Sequence, residues 1–278
     1  MIRSLFAAAL LLLPVPAAAQ DAQQRIAWNR PAQPFTVIGN VHYVGTDGLS
    51  AFLVTGPAGH VLIDGGLPES APLIAANIRT LGFELKDVKY ILINHAHFDH
   101  SGGLAELKRL TGAKLVASAG DRGDLEAGRT RNRPELDGFP PVKVDRVIRD
   151  GDVLRLGPIA LTAHMTPGHT KGATTWTTVA DGRRVIFATS LTVAGQKLAG
   201  DPGYPQAAAD FRRTLARVGA MGADVFLNFH PEFFDLKGKR AAQVAGRRDA
   251  FIDAGELPRQ VARAKAGFEA EARRQGVR

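Results

Sequence analysis

The chain has 278 residues, 35 Lys or Arg against 27 Asp or Glu, a formal charge of +8 and no cysteine. The missing cysteine excludes disulfide staples, a thiolate nucleophile and thiolate metal ligands. Basic residues are scattered, apart from Arg129, Arg131 and Arg133 and the tail, with no stripe of interleaved aromatics, so no nucleic-acid partner is expected.

Residues 1–19 read as a secretory signal peptide. Arg3 is the basic start, Leu5 to Leu13 an apolar run, Pro14 and Pro16 break it, and Ala17-Ala18-Ala19 fits a cleavage site. The run is too short to span a bilayer, which argues against a retained anchor, and no other stretch is apolar enough for a transmembrane helix. The expected product is a periplasmic chain, residues 20–278, folded as a single domain without a membrane contact. Its length suffices for one large core.

Residues 21–34 read as irregular, with Trp28 as an apolar anchor. Strand-like runs follow at 35–38, 41–44, 51–54 and 60–63, split by Gly-containing turns, and this spacing predicts an antiparallel meander. Leu73, Ile74, Ile78 and Leu81 share one side of a helix over 69–81, with Gly82 as its stop. The pattern then alternates: strand 90–93, helix 103–110, strand 114–117 and a short helix over 121–127. Residues 128–141, with arginines and two prolines, read as a long surface loop. A second block holds strands at 142–148, 153–156, 159–164, 173–179 and 184–188. Helices at 206–219, 239–251 and 256–273 flank a last strand, 224–228. Two strand-rich blocks, each followed by helices, predict two stacked sheets with helices outside.

The chemistry concentrates in His95-Ala96-His97-Phe98-Asp99-His100, between the apolar run 90–93 and Ser101-Gly102-Gly103. These four metal-binding groups stand on a loop at a strand end. His169 and His230 also each follow a strand. If these ends share one edge, five histidines and Asp99 converge. Neutral imidazole suits zinc, and a carboxylate can complete such a site. Six ligands exceed one tetrahedral zinc with an open position and suit two zincs with three protein ligands each. Neighbouring loop residues point different ways, so His95 and His97 can serve one metal while Asp99 and His100 serve the other. His42 and His60 lie inside strands and read as ordinary strand residues. His164 is either a hydrogen-bonded support for a ligand or a packing residue.

The chain resembles the metallo-β-lactamase-fold hydrolases, and within them the subclass B3 metallo-β-lactamases. The likeness rests on Val44-Gly45-Thr46-Asp47-Gly48-Leu49, Leu62-Ile63-Asp64-Gly65-Gly66, Ile93–His100, Phe139–Arg146, Leu161–Thr170 and Phe229-His230-Pro231. The fold it implies is α/β, a four-layer αββα sandwich of two stacked mixed β-sheets with helices on the outer faces. The cofactor it implies is Zn2+, two per chain. One zinc would be held by His95, His97 and His169, the other by Asp99, His100 and His230. Relatives with other substrates carry a bridging Asp, or a Cys, after the strand equivalent to 184–188. Here the place holds Ser190, as in subclass B3. By that likeness Ser190 and Thr192 bind the substrate carboxylate; the alternative is that these hydroxyls only cap the following turn.

The implied reaction is hydrolysis of the β-lactam amide by a metal-bound hydroxide, with Asp99 orienting the attacking group, the β-lactam as small-molecule substrate and the enzyme a monomer. Three departures from the family stand out. Thr189 replaces an Asp found in several members, a C-terminal disulfide is impossible, and loop 128–133 is Arg-rich. None removes a metal ligand. Two rival readings are a lactonase or thioesterase-like hydrolase of the same fold, and a zinc-binding periplasmic protein without catalysis.

Overall fold

The computed structural model describes residues 17–277. The signal-peptide reading therefore lies, up to residue 16, outside the described residues. Helix α1 (Ala17–Trp28) replaces the irregular segment expected there. The stretch lacks Gly and Pro and is rich in Ala and Gln, so propensity makes a helix without apolar periodicity. The carbonyl of Trp28 accepts from Gly48 N–H at 3.0 Å and from Thr46 Oγ1 at 2.7 Å, which ties the helix end to the next turn.

The meander forms as the alternation predicts: β1 (Phe35–Ile38), β2 (Val41–Tyr43), β3 (Phe52–Val54) and β4 (His60–Ile63) pair antiparallel in sequence order. After α2 (Ser70–Thr80) the connections become crossovers. Strand β5 (Val88–Leu92) pairs parallel to β4. Short α3 (Phe98–Ser101) and α4 (Leu104–Thr111) lead to β6 (Lys114–Ser118), parallel to β5. Helix α5 (Ala119–Ala127) and a long loop lead to β7 (Arg146–Ile148), which closes a seven-stranded sheet. The strand expected over 142–148 shrinks to its last three residues. The backbone before it bonds elsewhere: Val142 N–H to Leu125 O at 3.0 Å, and Asp145 N–H to Leu115 O at 2.9 Å.

The second sheet has five strands: β8 (Val153–Leu156), β9 (Ile159–Met165), β10 (Thr174–Ala180), β11 (Arg183–Ala188) and β12 (Val225–Asn228). The first four pair antiparallel, and β12 joins β11 in parallel after α6 (Ala207–Gly219). The helix expected over 239–251 is shorter, α7 (Leu236–Val244), because Gly246 at φ +100° turns the chain. Helix α8 (Glu256–Arg274) packs beside α6.

The period of two sorts the core. Phe52, Val54, Val61, Ile63, Leu92 and Val116 point between the sheets, while Leu53, Leu62, Ile91, Leu115 and Ala117 point the other way onto α2 and α4. A sheet buried on both faces needs helices on its far side, and α6 and α8 cover the second sheet likewise. Phe52 touches Phe187 at 5.3 Å and Phe229 at 5.8 Å across the sheets. The architecture is the α/β sandwich of two mixed sheets with outer helices that the sequence pattern implies. Among the described residues no helix is long and apolar enough to cross a membrane.

Candidate metal centre

The expected strand ends do share an edge. Residues 93–100 leave β5, His169 sits in the turn between β9 and β10, Ser190 and Thr192 follow β11, and His230 follows β12. Thr174 N–H donates to Asn94 O at 2.7 Å and Trp176 Nε1 to Ile93 O at 3.3 Å, locking the second sheet to the loop of the first. Gly168, at φ +140°, lets the turn bring His169 inward; a Cβ there would sit 2.8 Å from the Phe211 ring.

The metal-ligating atoms of His95, His97 and His169 lie within 4.8 Å of one another, as do those of His95, Asp99 and His100. His95 thus stands between the two groups. His230 reaches the second group through Asp99, its Nε2 lying 3.4 Å from Asp99 Oδ2, and its ring lies 5.0 Å from that of His100. All six residues named in the sequence converge.

The Nε2 atoms of His95, His97 and His100 and the Nδ1 of His230 are buried without any hydrogen-bond partner. Each such orphan costs about 1–3 kcal/mol unless something binds it. A metal ion fits the donors that come together here: the imidazoles of His95, His97, His100 and His169, with the Asp99 carboxylate beside them.

Electrostatics favour the same occupant. Burial first, then mutual repulsion among the histidines, holds His95 and His97 well below the ordinary imidazole value, and Arg133 contributes at His97. Burial likewise pushes His169 down to about 4. Neutral imidazoles are metal ligands. Burial opposes the charge on Asp99, but His100 and His230 overcome it and keep the carboxylate ionised. His100 goes up despite burial, because Asp99 and Asp64 face it.

The supporting residues were not legible in the pattern. Asp64, buried after β4 at φ +72°, accepts from His100 Nδ1 at 2.8 Å and from Asn94 N–H at 3.1 Å. Asn94 also bonds Asp64 Oδ2 through its side-chain amide and His95 Nδ1 through its oxygen. His169 Nδ1 donates to Thr192 O, 2.8 Å away. These bonds assign the Nδ1 protons and leave Nε2 free toward the centre. Asp121, also buried, accepts from Ala96 N–H, Thr170 Oγ1 and Gly172 N–H, each at 2.9 Å, and so joins both histidine loops. The signal for Asp64 is a carboxylate directly after an apolar run. Nothing local marks Asn94 or Asp121.

His97, Asp99, His169 and His230 floor a cavity of about 280 Å³ whose wall includes Trp28, Phe98, Arg133, Ser190, Thr192 and Phe233. Ser190 and Thr192 both stand in that wall, with their hydroxyl oxygens 3.0 Å apart. Thr192 N–H also points to Ser190 Oγ at 3.4 Å, so the turn-capping role is present beside the cavity-lining one. The Trp28 ring lies 5.7 Å from that of His230 and 6.4 Å from that of Phe98. His164 stands apart, bonded to Thr177 Oγ1 at 2.8 Å on the second sheet, as a packing residue. His42 and His60 both pack on Phe83, as strand residues.

Two sheets, outer helices and a buried imidazole cluster at the strand ends define a sandwich-type α/β protein with a candidate metal centre. The family model of the metallo-beta-lactamase superfamily matches residues 44–230, and the chain belongs to that family. Among solved structures it is similar to a metallo-beta-lactamase of Cronobacter sakazakii at 43% identity, covering 92% of this chain and 100% of that one with a TM-score of 0.88. It is also similar to BJP-1, a subclass B3 metallo-beta-lactamase of Bradyrhizobium japonicum, at 41% identity over 90% and 97% of the two chains, TM-score 0.85. Curated relatives match in part. A hydroxyacylglutathione hydrolase of Rhodopseudomonas palustris is 36% identical over 121 residues, 44% of this chain but only 39% of that enzyme.

Proposed function

We propose that the chain is a zinc-dependent β-lactamase that opens the amide bond of β-lactams, exported to the periplasm by its first nineteen residues and acting there as a single-domain monomer with two zinc ions. The observation that carries the reading is the set of orphaned buried Nε2 atoms of His95, His97 and His100, grouped with Asp99 beside the cavity. His95, His97 and His169 would hold one zinc, and Asp99, His100 and His230 the other. Bound zinc would supply an acidified water and an electrophile for the lactam carbonyl. The chain's own part is to keep His95, His97 and His169 neutral by burial, and to hold ionised Asp99 where it orients the attacking water. It also offers the Ser190 and Thr192 hydroxyls to the substrate carboxylate.

Support for the lactam comes from solved neighbours of this subclass that match nearly their whole length. The C. sakazakii neighbour is described by the motif HARLDQ, whereas residues 95–100 here carry histidine at both 97 and 100. The two-metal reading thus rests on this chain's residues rather than on likeness. A second reading, a thioesterase-like hydrolase, is favoured by the curated relatives, and Ser190 in place of a bridging carboxylate argues against it.

The test is a panel of penicillin, cephalosporin, carbapenem, lactone and thioester substrates on zinc-loaded protein, with and without chelator, beside His169→Ala. Lactam turnover should vanish with chelator and fall at least 100-fold in the variant. Turnover of the thioester alone would sink the lactam assignment, and lactam turnover that survives chelation would sink the zinc. Ser190→Ala should raise KM for carboxylate-bearing lactams; an unchanged KM leaves Ser190 as a turn cap.

A further inference from the structure

Arg133 has no role in the reading above, yet it is a buried cation in the wall of the metal cavity. It is only 7% exposed and lines the same space as His97, Asp99, His169, Ser190 and Thr192. Its Nε pairs with Glu135, and its Nη2 donates to Ala194 O at 3.2 Å. Its Nη1 is buried and has no partner. A guanidinium nitrogen kept from water without an acceptor is costly. The Glu135 side chain is 58% exposed, so that pair is screened by solvent. Asp99 in the same wall already faces His100 and His230, and Glu232 is exposed beside His230.

The fixation is as informative as the missing partner. Ala194 is held at φ +45°, a conformation unfavourable for a residue with a Cβ, and its carbonyl is what Nη2 grips. The arginine is therefore anchored at two nitrogens, with the third left over. The loop it grips is the one that carries Ser190 and Thr192. A cation with a spare donor and two hydroxyls in one wall make a receptor for a planar anion.

We infer that Arg133 is a specificity-determining residue: its guanidinium binds the carboxylate of the substrate together with Ser190 and Thr192, and so selects anionic over neutral substrates. This rests on reading the cavity as the substrate site. It deepens that reading by naming the charge the substrate must carry and the side chain that demands it.

The experiment compares mercaptoacetate with 2-mercaptoethanol on the zinc-loaded protein. Both are short thiols able to bind zinc, and only the first carries a carboxylate. Equilibrium affinities are measured for wild type, Arg133→Gln and Arg133→Lys. Wild type should prefer mercaptoacetate; Arg133→Gln should lose about tenfold in that preference while its 2-mercaptoethanol affinity stays put, and Arg133→Lys should keep part of it. The constant 2-mercaptoethanol affinity also shows that the metal site is folded. Equal weakening of both thiols in both variants would overturn the proposal and leave Arg133 as a loop clamp. No change in either thiol would overturn it too. A preference that depends on Arg133 in a protein that opens no lactam supports the anion site and removes the lactam assignment, so the two readings fail separately.

Discussion

Asp64→Asn isolates the second metal group. Asp64 Oδ1 accepts from Asn94 N–H and Oδ2 from the Asn94 amide, while Oδ2 also faces His100 Nδ1 at 2.8 Å. An amide has only one oxygen. Whichever way it turns, an NH2 meets either the Asn94 N–H or the Nδ1–H of His100. The second arrangement drives the His100 proton onto Nε2, the atom needed by the metal. Losing such a partner costs about 10–100-fold in metal affinity, or about 1.4–2.8 kcal/mol. Asparagine is the right probe because it tolerates φ +72°, where alanine is strained. Burial raises the Asp64 carboxyl above its ordinary value, so a neutral side chain adds no new burial penalty and the metal-free fold should lose little. The assay is zinc titration against a chromophoric chelator, with thermal unfolding of the metal-free protein as control. One zinc should weaken by one to two decades and the other by much less. Two unchanged affinities in a folded variant would refute the argument that Asp64 sets the His100 tautomer.

Two further outcomes follow from buried groups elsewhere. Burial pushes Asp121 up from 3.8 to about 7 against its three donors. The folded state therefore holds a proton that the unfolded state releases. Its contribution is full below about 3.8 and is lost as pH rises through about 7. Relative to Asp121→Asn, wild type should lose up to about 4 kcal/mol of unfolding free energy between pH 4 and pH 8 by denaturant titration, and parallel pH profiles would contradict this. Trp176 is fully buried between the sheets and bonds Ile93 O, so Trp176→Ala should cost about 3–5 kcal/mol in denaturant unfolding. A loss under about 1 kcal/mol would mean that the inter-sheet space collapses around the deletion.

The candidate metal ligands were legible because the chemistry restricts the residue types. Only a few side chains bind zinc, this chain has no cysteine, and three of its eight histidines crowd into six residues. His169 and His230 were legible by placement at strand ends. The carboxylates that orient the ligands were not. Asp64 meets His100 across 36 residues of sequence, and Asp121 meets Thr170 across 49. A buried aspartate looks like any turn aspartate until the fold removes the water around it. Helix α1 was missed for a different reason: it has no apolar stripe, so periodicity is silent where propensity alone acts. The Arg-rich loop shows the same divide. Its three arginines look alike in sequence, yet Arg131 pairs with Asp124 at 2.7 Å near the surface while Arg133 is buried in the cavity wall.

The sequence by itself determined the strands, through apolar runs with a period of two, and the six groups of the candidate metal centre, through their chemistry and their strand-end positions. The tertiary structure alone decided which imidazole nitrogen faces the centre, which carboxylates hold it there, and which arginine turns inward. Those outcomes depend on burial and on bonds between residues distant in the chain, and neither burial nor proximity is a property of any local stretch.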